Sequence, residues 1–173
     1  MNNAQSEIID SLPVIDPRRF RDALGRFATG ITVITCLDPQ GEVPNGFTAN
    51  SFSSLSLDPP LVLFSLRRDA GCLAAFERAR AFAVNVLAED HQDLSNRFAG
   101  KEASRWEGLQ FEAGQTGAPL LPGMLAQFEC RTEVIHDGGD HRIFVGRVLR
   151  LTMPREGEPL VYYQGDYRFL TRD

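Results

Sequence analysis

The feature that most constrains the fold is a long alternating segment in the second half of the chain. Residues 127–136 read QFECRTEVIH, in which apolar or small side chains alternate with charged ones. One face would carry Phe128, Cys130, Thr132 and Val134, and the opposite face Glu129, Arg131 and Glu133. Because successive side chains of a β-strand point to opposite faces, this pattern predicts a half-buried antiparallel strand. The turn DGGD at 137–140 joins it to HRIFVGRVLRL, so the sequence predicts a long β-hairpin.

Apolar runs elsewhere predict a mainly β protein. Strands are predicted at 31–36, 61–66 and 81–87, and the aromatic segment PLVYYQGDYRFL at 159–170 adds more strand material. The strand at 61–66 follows a Pro-Pro pair that favours extended backbone, and we expect it to be buried on both faces. Strands do not alternate regularly with helices, which disfavours a parallel sheet. The pattern favours an antiparallel barrel with a few short helical attachments.

The predicted helices are short. Asp16 and the proline after it predict the N-cap of an amphipathic helix that ends near Thr29. Asp69 is a candidate cap for a second helix, and residues 89–100 predict a third. The glycine- and proline-rich stretch at about 100–123 predicts a loop.

Composition limits the class of protein. A length of 173 residues suits one domain, which we place at 16–173 after a flexible leader at 1–15. The leader lacks the features of a signal peptide, and no apolar run is long enough to span a membrane, so a cytoplasmic location without membrane contact is expected. A net charge of −5 disfavours nucleic-acid binding through bulk charge. The three cysteines are widely spaced without a CxxC pair, so neither a disulfide framework nor a zinc site is predicted.

Several common catalytic motifs do not occur in the sequence. There is no GxGxxG, no GxxxxGK[ST] and no GxSxG, so the sequence predicts neither a Rossmann dinucleotide site, nor a P-loop, nor a nucleophile elbow. His136 and His141 flank the predicted hairpin turn, where they could face one another, but two histidines without a third ligand do not predict a metal site.

The serine-rich segment NGFTANSFSSLSLDPPLVLFSL at 45–66 has two interpretations. Its short polar side chains and backbone donors, set against an apolar strand, suit a planar heteroaromatic ligand with carbonyls and ring nitrogens. Alternatively, the hydroxyls bond the loop's own backbone, as serine and threonine commonly do.

Five segments in the same order resemble the short-chain flavin reductases, the small components of two-component flavin-dependent monooxygenases. They are FRDALGRFATGITVIT (20–35), GFTANSFSSLSLDPPLVLFSL (46–66), FAVNVLAEDHQDLSNRFAG (82–100), GGDHRIFVGRV (138–148) and PLVYYQGDYRFL (159–170). The resemblance implies a mainly β, split β-barrel fold that binds flavin, usually as a homodimer. It also implies a cytoplasmic NAD(P)H:flavin oxidoreductase, which transfers hydride from NADH or NADPH to N5 of FMN or FAD. The reduced flavin would then pass to a separate monooxygenase.

The resemblance also implies the residues that contact flavin. The flavin ring and ribityl chain would lie against two short stretches, formed by Thr48, Ala49, Asn50 and Ser51 and by Ser65, Leu66 and Arg67. Arg67 is the main candidate for the flavin phosphate, since its guanidinium fork suits that group, although an exposed charge after a strand is an equally simple interpretation. Cys72, where the family often has a hydroxyl residue, and Arg97 are further candidates near the phosphate.

On the nicotinamide side, the resemblance implies a role for the GDH motif at 139–141. His141 would orient the nicotinamide nucleotide, and Ile143 and Val145 share its strand face, so we expect the imidazole at the barrel mouth. Thr29 and Tyr167 are weaker candidates for the same side, and a packing role for Tyr167 is as compatible with the sequence.

Two other classes of protein stay open at this point. A flavin-binding or electron-carrier protein without nicotinamide activity could use the same barrel, although the GDH motif favours the enzyme. An oxidase of the pyridoxamine-phosphate type shares a split-barrel plan but fits the ordered motifs poorly. The sequence does not choose FMN over FAD or NADH over NADPH, and it does not identify the partner oxygenase.

Overall fold

The fold is taken from a computed structural model, which describes residues 14–40, 44–100 and 103–171. Most of the predicted leader therefore lies outside the described residues. The helices are α1 (Pro17–Leu24), α2 (Leu73–Arg78) and α3 (Gln92–Ala99), with 3-10 turns at Glu89–His91 and Ala103–Trp106. The strands are β1 (Thr29–Gly30), β2 (Thr32–Leu37), β3 (Pro44–Ala49), β4 (Ser53–Leu57), β5 (Pro60–Arg67), β6 (Ala81–Val86), β7 (Glu112–Ala113), β8 (Pro119–Leu120), β9 (Ala126–Gly138), β10 (His141–Thr152), β11 (Val161–Tyr163) and β12 (Asp166–Arg168).

The main sheet has seven strands in the order β3-β2-β6-β9-β10-β5-β4, and every neighbouring pair is antiparallel. The edge strands β3 and β4 are joined by residues 50–52 alone. In a flat sheet, seven strands about 4.8 Å apart would separate the edges by roughly 29 Å. The chain from residue 49 to residue 53 spans at most about 14 Å. The sheet therefore curls until its edges approach, which gives the predicted split-barrel architecture.

The long hairpin of β9 and β10 is confirmed, with His141 paired to Gly138 at the turn and Thr152 paired to Gln127 at the far end. A register shift interrupts its regular alternation, because Val145 pairs with Val134 whereas Gly146 pairs with Thr132. Beyond this bulge the faces exchange, as an extra residue in one strand requires. Ile135 packs on the core and Val134 is 40% exposed, so the prediction that Val134 lies on the buried face is wrong.

The polar face of β9 is also not uniformly exposed. Glu129 is 2% exposed, and its carboxylate accepts a hydrogen bond from the Thr116 backbone N–H at 3.0 Å. Thr116 belongs to the turn between β7 and β8, a small hairpin within the segment that was predicted to be an irregular loop. This segment covers the outer face of the strand, so the prediction of a solvent-exposed Glu129 is wrong.

Two apolar clusters lie on opposite faces of β2. The barrel interior is rich in phenylalanine, and Phe64 stacks on Phe144 with ring centroids 4.9 Å apart and an interplanar angle of 6°. Ile34 belongs to this cluster, whereas its neighbour Val33 packs in the second one with Leu87, Phe98, Leu121 and other residues. Burial on both faces explains why 31–36 does not alternate between apolar and charged residues but contains only apolar residues, cysteine and buried threonines.

Strand β5 differs from its prediction. Val62, Phe64 and Leu66 are buried, whereas the alternate residues Leu61 and Leu63 are only partly covered. The expectation of a strand buried on both faces is therefore wrong for the single chain, in which β5 buries only the face toward the barrel interior.

The helices follow the predicted caps only in part. Asp16 accepts a hydrogen bond from the Arg19 backbone N–H at 2.8 Å, which confirms the N-cap of α1, but the helix ends at Leu24. Thr29 is instead a strand residue, in β1. The predicted cap Asp69 is wrong, because α2 begins only at Leu73, with Cys72 at its N-cap position. The third prediction holds, since the 3-10 turn at 89–91 leads directly into α3.

At the ends of the described chain, β1, β11 and β12 form a small separate sheet. Across the ranges described above, no helix has both the length and the apolar character that a membrane crossing would need.

Candidate active site

A cleft of about 870 Å³ opens where β3, the 50–51 link and the ends of β5 and β10 meet. Most of the residues that were predicted to contact flavin or nicotinamide line it: Thr48, Ala49, Asn50, Ser51, Ser65, Leu66, Arg67, Cys72 and His141. Further lining comes from α3 and the following 3-10 turn through Phe98, Arg105 and Trp106. The curl of the sheet brings these stretches together, although they are far apart in the sequence.

The hydroxyl groups of the serine-rich wall are bonded to the protein. Thr48 donates its hydroxyl hydrogen to the Ser95 carbonyl of α3 at 2.6 Å. Ser51 Oγ donates to the Ser65 carbonyl and accepts from the Ser65 N–H, both at 3.0 Å. These hydroxyls therefore fix the wall of the cleft, as the self-bonding interpretation of this segment expects. For a ligand, the wall offers its backbone and the exposed Asn50.

Arg67 and His141 lie side by side at the mouth of the cleft, because they are paired residues at the ends of β5 and β10. The Arg67 guanidinium is held by Asp69 through Nε–Oδ1 and Nη2–Oδ2 contacts of 2.8 Å each. His141 Nδ1 lies 2.8 Å from Asp140 Oδ1, and this hydrogen bond lowers the pKa of Asp140 below its ordinary value.

The position of His141 has a simple origin in the strand. Phe144 belongs to the barrel core, so the face that carries His141, Ile143 and Val145 is the outer face of β10. His141 still lines the cleft because the strand begins there. The two flanking histidines do not face one another, since His136 is paired with Ile143 and is exposed.

The cleft wall also contains residues that the sequence interpretation missed. Arg105 donates from Nη1 to the Gly46 carbonyl and from Nη2 to the Gly100 carbonyl, each at 2.8 Å, and so ties β3 to the end of α3. Trp106 packs edge-on against Phe98 with centroids 5.0 Å apart. Both residues lie in a 3-10 turn within the predicted loop, where no periodicity pointed to them; an arginine next to the chain's single tryptophan was the available signal.

Cys72 lines the same cleft as Arg105. Burial raises the pKa of its thiol above the ordinary value, and the positive charge of Arg105 opposes that shift. Cys72 is therefore mostly a neutral thiol at neutral pH, so its side chain offers a phosphate only a weak donor.

The structure does not bring three of the predicted residues to the cleft. The Arg97 guanidinium donates to the backbone carbonyls of Arg105 and Glu107, and it braces the turn that follows α3. Tyr167 donates its hydroxyl hydrogen to α3 at Ser95 Oγ, 2.9 Å away. Thr29 pairs with Tyr162 in the small sheet. A ligand in the cleft would meet Arg105 before Arg97.

A second cavity, of about 840 Å³, lies beside the β7–β8 hairpin and contains none of the predicted site residues. Nor do the described residues contain any group of three or more His, Cys, Asp or Glu side chains that could hold a metal ion. The chemistry that the sequence implies is therefore concentrated in the first cleft.

The cleft fits a flavin by size and by the character of its walls. Its apolar surfaces come from Phe47, Leu66, Phe98 and Trp106, which suit a planar tricyclic ring. The Trp106 Nε1 atom is buried without a hydrogen-bond partner among the described residues, and such a donor is costly unless a ligand satisfies it. Arg67, which also lines the cleft, supplies a guanidinium that suits a phosphate.

A curled antiparallel barrel with a cleft walled in part by aromatic side chains is typical of the class of flavin-binding split-barrel proteins. Residues 24–171 match the flavin reductase like domain, and the chain belongs to this family.

Its relatives share most of its length. The reductase subunit HsaB of a flavin-dependent monooxygenase from Rhodococcus jostii is 45% identical over 92% of this chain and 80% of that protein. SmoA, an FMN reductase (NADH) from Agrobacterium fabrum, is 46% identical over 90% and 87% of the two chains. Among solved structures, the NADH:FAD oxidoreductase SgcE6 of Streptomyces globisporus, in complex with NAD and FAD fragments, superposes with a TM-score of 0.84 at 34% identity, covering 94% of this chain and 99% of that one.

Proposed function

We propose that this cleft is where flavin is reduced by NADH or NADPH before it leaves for a partner monooxygenase. The observation that carries the proposal is the convergence of the 48–51 wall, Arg67 and His141 on one aromatic-lined cleft. The chain is accordingly an NAD(P)H-dependent flavin reductase of the two-component type. When both nucleotides are bound, the nicotinamide supplies hydride from C4 and the flavin accepts it at N5.

The task of the protein is to position two rings. Hydride transfer needs the reacting atoms at about 3–3.5 Å, so the residues of the cleft must hold the flavin ring flat and leave one face open. The aromatic wall and the backbone at 48–51 hold one side and edge of the ring. Backbone donors aimed at the pyrimidine end would stabilise the negative charge that reduction places there. Reaction by ring contact requires no protein nucleophile.

Arg67 and His141 have separate roles in this proposal. Arg67 binds the flavin phosphate through its guanidinium fork. His141 orients the nicotinamide nucleotide. Its hydrogen bond with Asp140 engages Nδ1, so Nε2 is the ring atom that would make a polar contact with the nucleotide. Since Arg67 and His141 are paired with one another at the ends of β5 and β10, the two nucleotides would enter through the same mouth of the cleft.

The proposal extends to assembly and partners. Large apolar side chains are exposed at several places on the main sheet, namely Leu55 and Leu57 on β4, Val134 on β9, and Leu149 and Leu151 on β10. Burial of some of these side chains against a second copy supports a homodimer. The three free cysteines support residence in the reducing cytoplasm, beside a monooxygenase that takes up reduced flavin by diffusion or transient contact.

Steady-state kinetics over the four pairings of NADH or NADPH with FMN or FAD test the catalytic proposal. Oxidation of pyridine nucleotide, followed at 340 nm under air, should require added flavin. Absence of oxidation above background in all four pairings, together with retained flavin binding, would instead identify a carrier protein. Light scattering tests the assembly and should give twice the 19.2 kDa chain mass, falling toward one chain mass for Leu57→Asp.

A further inference from the structure

The guanidinium proposed to bind the flavin phosphate is already engaged by a carboxylate. Asp69 contacts Arg67 through both oxygens, Oδ1 to Nε and Oδ2 to Nη2, at 2.8 Å each. This is the two-point arrangement that a phosphate makes with arginine. Asp69 also lines the cleft, so its negative charge stands where the phosphate would arrive.

The pair is placed so that it can open. The side chains of Arg67 and Asp69 are 63% and 69% exposed, so water replaces the contact easily when it breaks. Ion pairs between side chains this exposed contribute little to stability, so the contact is easily exchanged. A second carboxylate, Asp140, also feels the charge of Arg67, although it is bonded to His141. The cation at the mouth is thus partly neutralised before any ligand binds.

We propose that Asp69 is an internal competitor for Arg67, which keeps the affinity of the cleft for flavin phosphates low and speeds their release. The inference rests on the proposed function, in which Arg67 meets the phosphate. When FMN or FAD binds, its phosphate replaces Asp69 as the partner of the Arg67 guanidinium. When the flavin leaves, Asp69 pairs with Arg67 again, which assists release. Asp69 does not contact the reacting atoms and sets affinity through Arg67.

A competitor for phosphate has a distinctive consequence. Riboflavin has the same ring and ribityl chain as FMN but no phosphate, so its binding does not displace Asp69. Removing the carboxylate should therefore strengthen FMN binding and leave riboflavin binding unchanged. If Asp69 served only to orient Arg67 or to stabilise the turn, its removal would weaken FMN binding or affect both ligands equally.

The experiment measures the dissociation constants of FMN and riboflavin by fluorescence titration for the wild type, Asp69→Asn and Asp69→Ser. The matched control is Asp166→Asn. Asp166 also pairs with an arginine two residues away, Arg168, at 2.5 Å, and this pair is exposed too (64% and 49%) and lies outside the cleft lining. Both Asp69 variants should bind FMN about three- to fivefold tighter, the range that an exposed pair allows, with riboflavin and the control unchanged. Stopped-flow dissociation of FMN should slow by a similar factor.

Each other outcome has a definite meaning. FMN affinity that is equal or weaker in both Asp69 variants overturns the inference, as does an equal gain for riboflavin. If the wild type binds FMN and oxidises NADH while the variants do not differ from it, only the competitor role falls. If the wild type binds neither flavin and oxidises no NADH, the proposed function falls and the inference falls with it.

Discussion

Ser51 provides a sharp test of how the cleft is built. The ladder between β4 and β5 ends with Ser53 paired to Leu63, and the same register would continue through Phe52 and Phe64 to pair Ser51 with Ser65. At Ser51 the backbone no longer pairs with β5. The Ser51 hydroxyl instead forms hydrogen bonds with both the N–H and the C=O of Ser65, each at 3.0 Å. Ser51→Ala removes both bonds and leaves two half-buried backbone groups without these partners.

The expected cost follows from those two bonds. At about 1 kcal/mol for each hydrogen bond, and more if a backbone group stays unsatisfied, Ser51→Ala should lower the free energy of unfolding by roughly 1–3 kcal/mol. For a chain of this size, each 1 kcal/mol lowers Tm by about 2–4 °C. The flavin affinity should fall as well, since the 50–52 link forms one wall of the cleft.

Urea unfolding, followed by circular dichroism, measures this loss. The matched control is Ser53→Ala, whose hydroxyl donates only to the neighbouring Ser54 carbonyl at 3.1 Å on the exposed surface. The control should change the unfolding free energy by less than about 0.5 kcal/mol. If Ser51→Ala proved as stable as Ser53→Ala, the view that a side chain closes the split edge of the barrel would be refuted.

The remaining predictions concern charge and chemistry. Arg67→Ala should weaken FMN binding by at most roughly 1.5–3 kcal/mol, because Arg67 must give up its pair with Asp69 before it binds the phosphate. Riboflavin binding should stay unchanged, and equal losses for both ligands would contradict a phosphate contact. His141→Ala should raise the KM for NADH more than the dissociation constant of FMN, and unchanged NADH dependence would remove His141 from the site. The hydrogen bond with Arg78 lowers the pKa of Asp38, so the pair stabilises the fold above about pH 4, and this contribution is lost as the pH falls further. In urea titrations at several pH values, Asp38→Asn should weaken the dependence of the unfolding free energy on acid pH. An unchanged pH dependence would contradict a stabilising role of the pair. Burial raises the pKa of Cys130 to about 12, so in the native protein a thiol reagent should label Cys72 slowly and first, and bound FMN should protect it; labelling of Cys130 at the same rate would contradict the burial of that thiol.

The sequence predicted β2, β6 and the β9–β10 hairpin because their patterns are local, but it did not predict β3 and β4, which lie almost wholly within the serine-rich segment. The alternation in 127–136 and the turn after it determine a hairpin without reference to the rest of the chain. The exceptions arise where a distant segment intervenes. Glu129 reads as a solvent-facing residue, yet Thr116 covers it, and the bulge opposite Gly146 exchanges the faces at Val134. When a distant segment of the chain packs over one face of a strand, the strand's own alternating pattern gives no sign of it.

The site was predicted from ordered resemblance and not from spacing alone, and its residue roles stay predictions. The structure brings the 48–51 stretch, Arg67 and His141 together, because the curl of the sheet places β3 and the link after it near the ends of β5 and β10. Arg105 and Trp106 escaped notice because a short 3-10 turn has no periodic signature. Arg97 was named as a phosphate candidate through the resemblance and Arg105 was not considered, and only the geometry shows that the Arg97 guanidinium is used by backbone carbonyls.

The composition of the cleft is better suited to a passing flavin than to a resident one. The hydroxyls of Thr48 and Ser51 are used within the protein, and the cation at the mouth is exposed and already paired. Such a site binds flavin through ring contact and backbone donors, but its exposed cation forms no desolvated ion pair with the phosphate. At association rates of about 10⁶–10⁷ M⁻¹ s⁻¹, a micromolar Kd corresponds to release at roughly 1–10 s⁻¹, which matches common enzyme turnover. A nanomolar site would release flavin about a thousandfold more slowly and would make the reductase a store of flavin instead of a supplier.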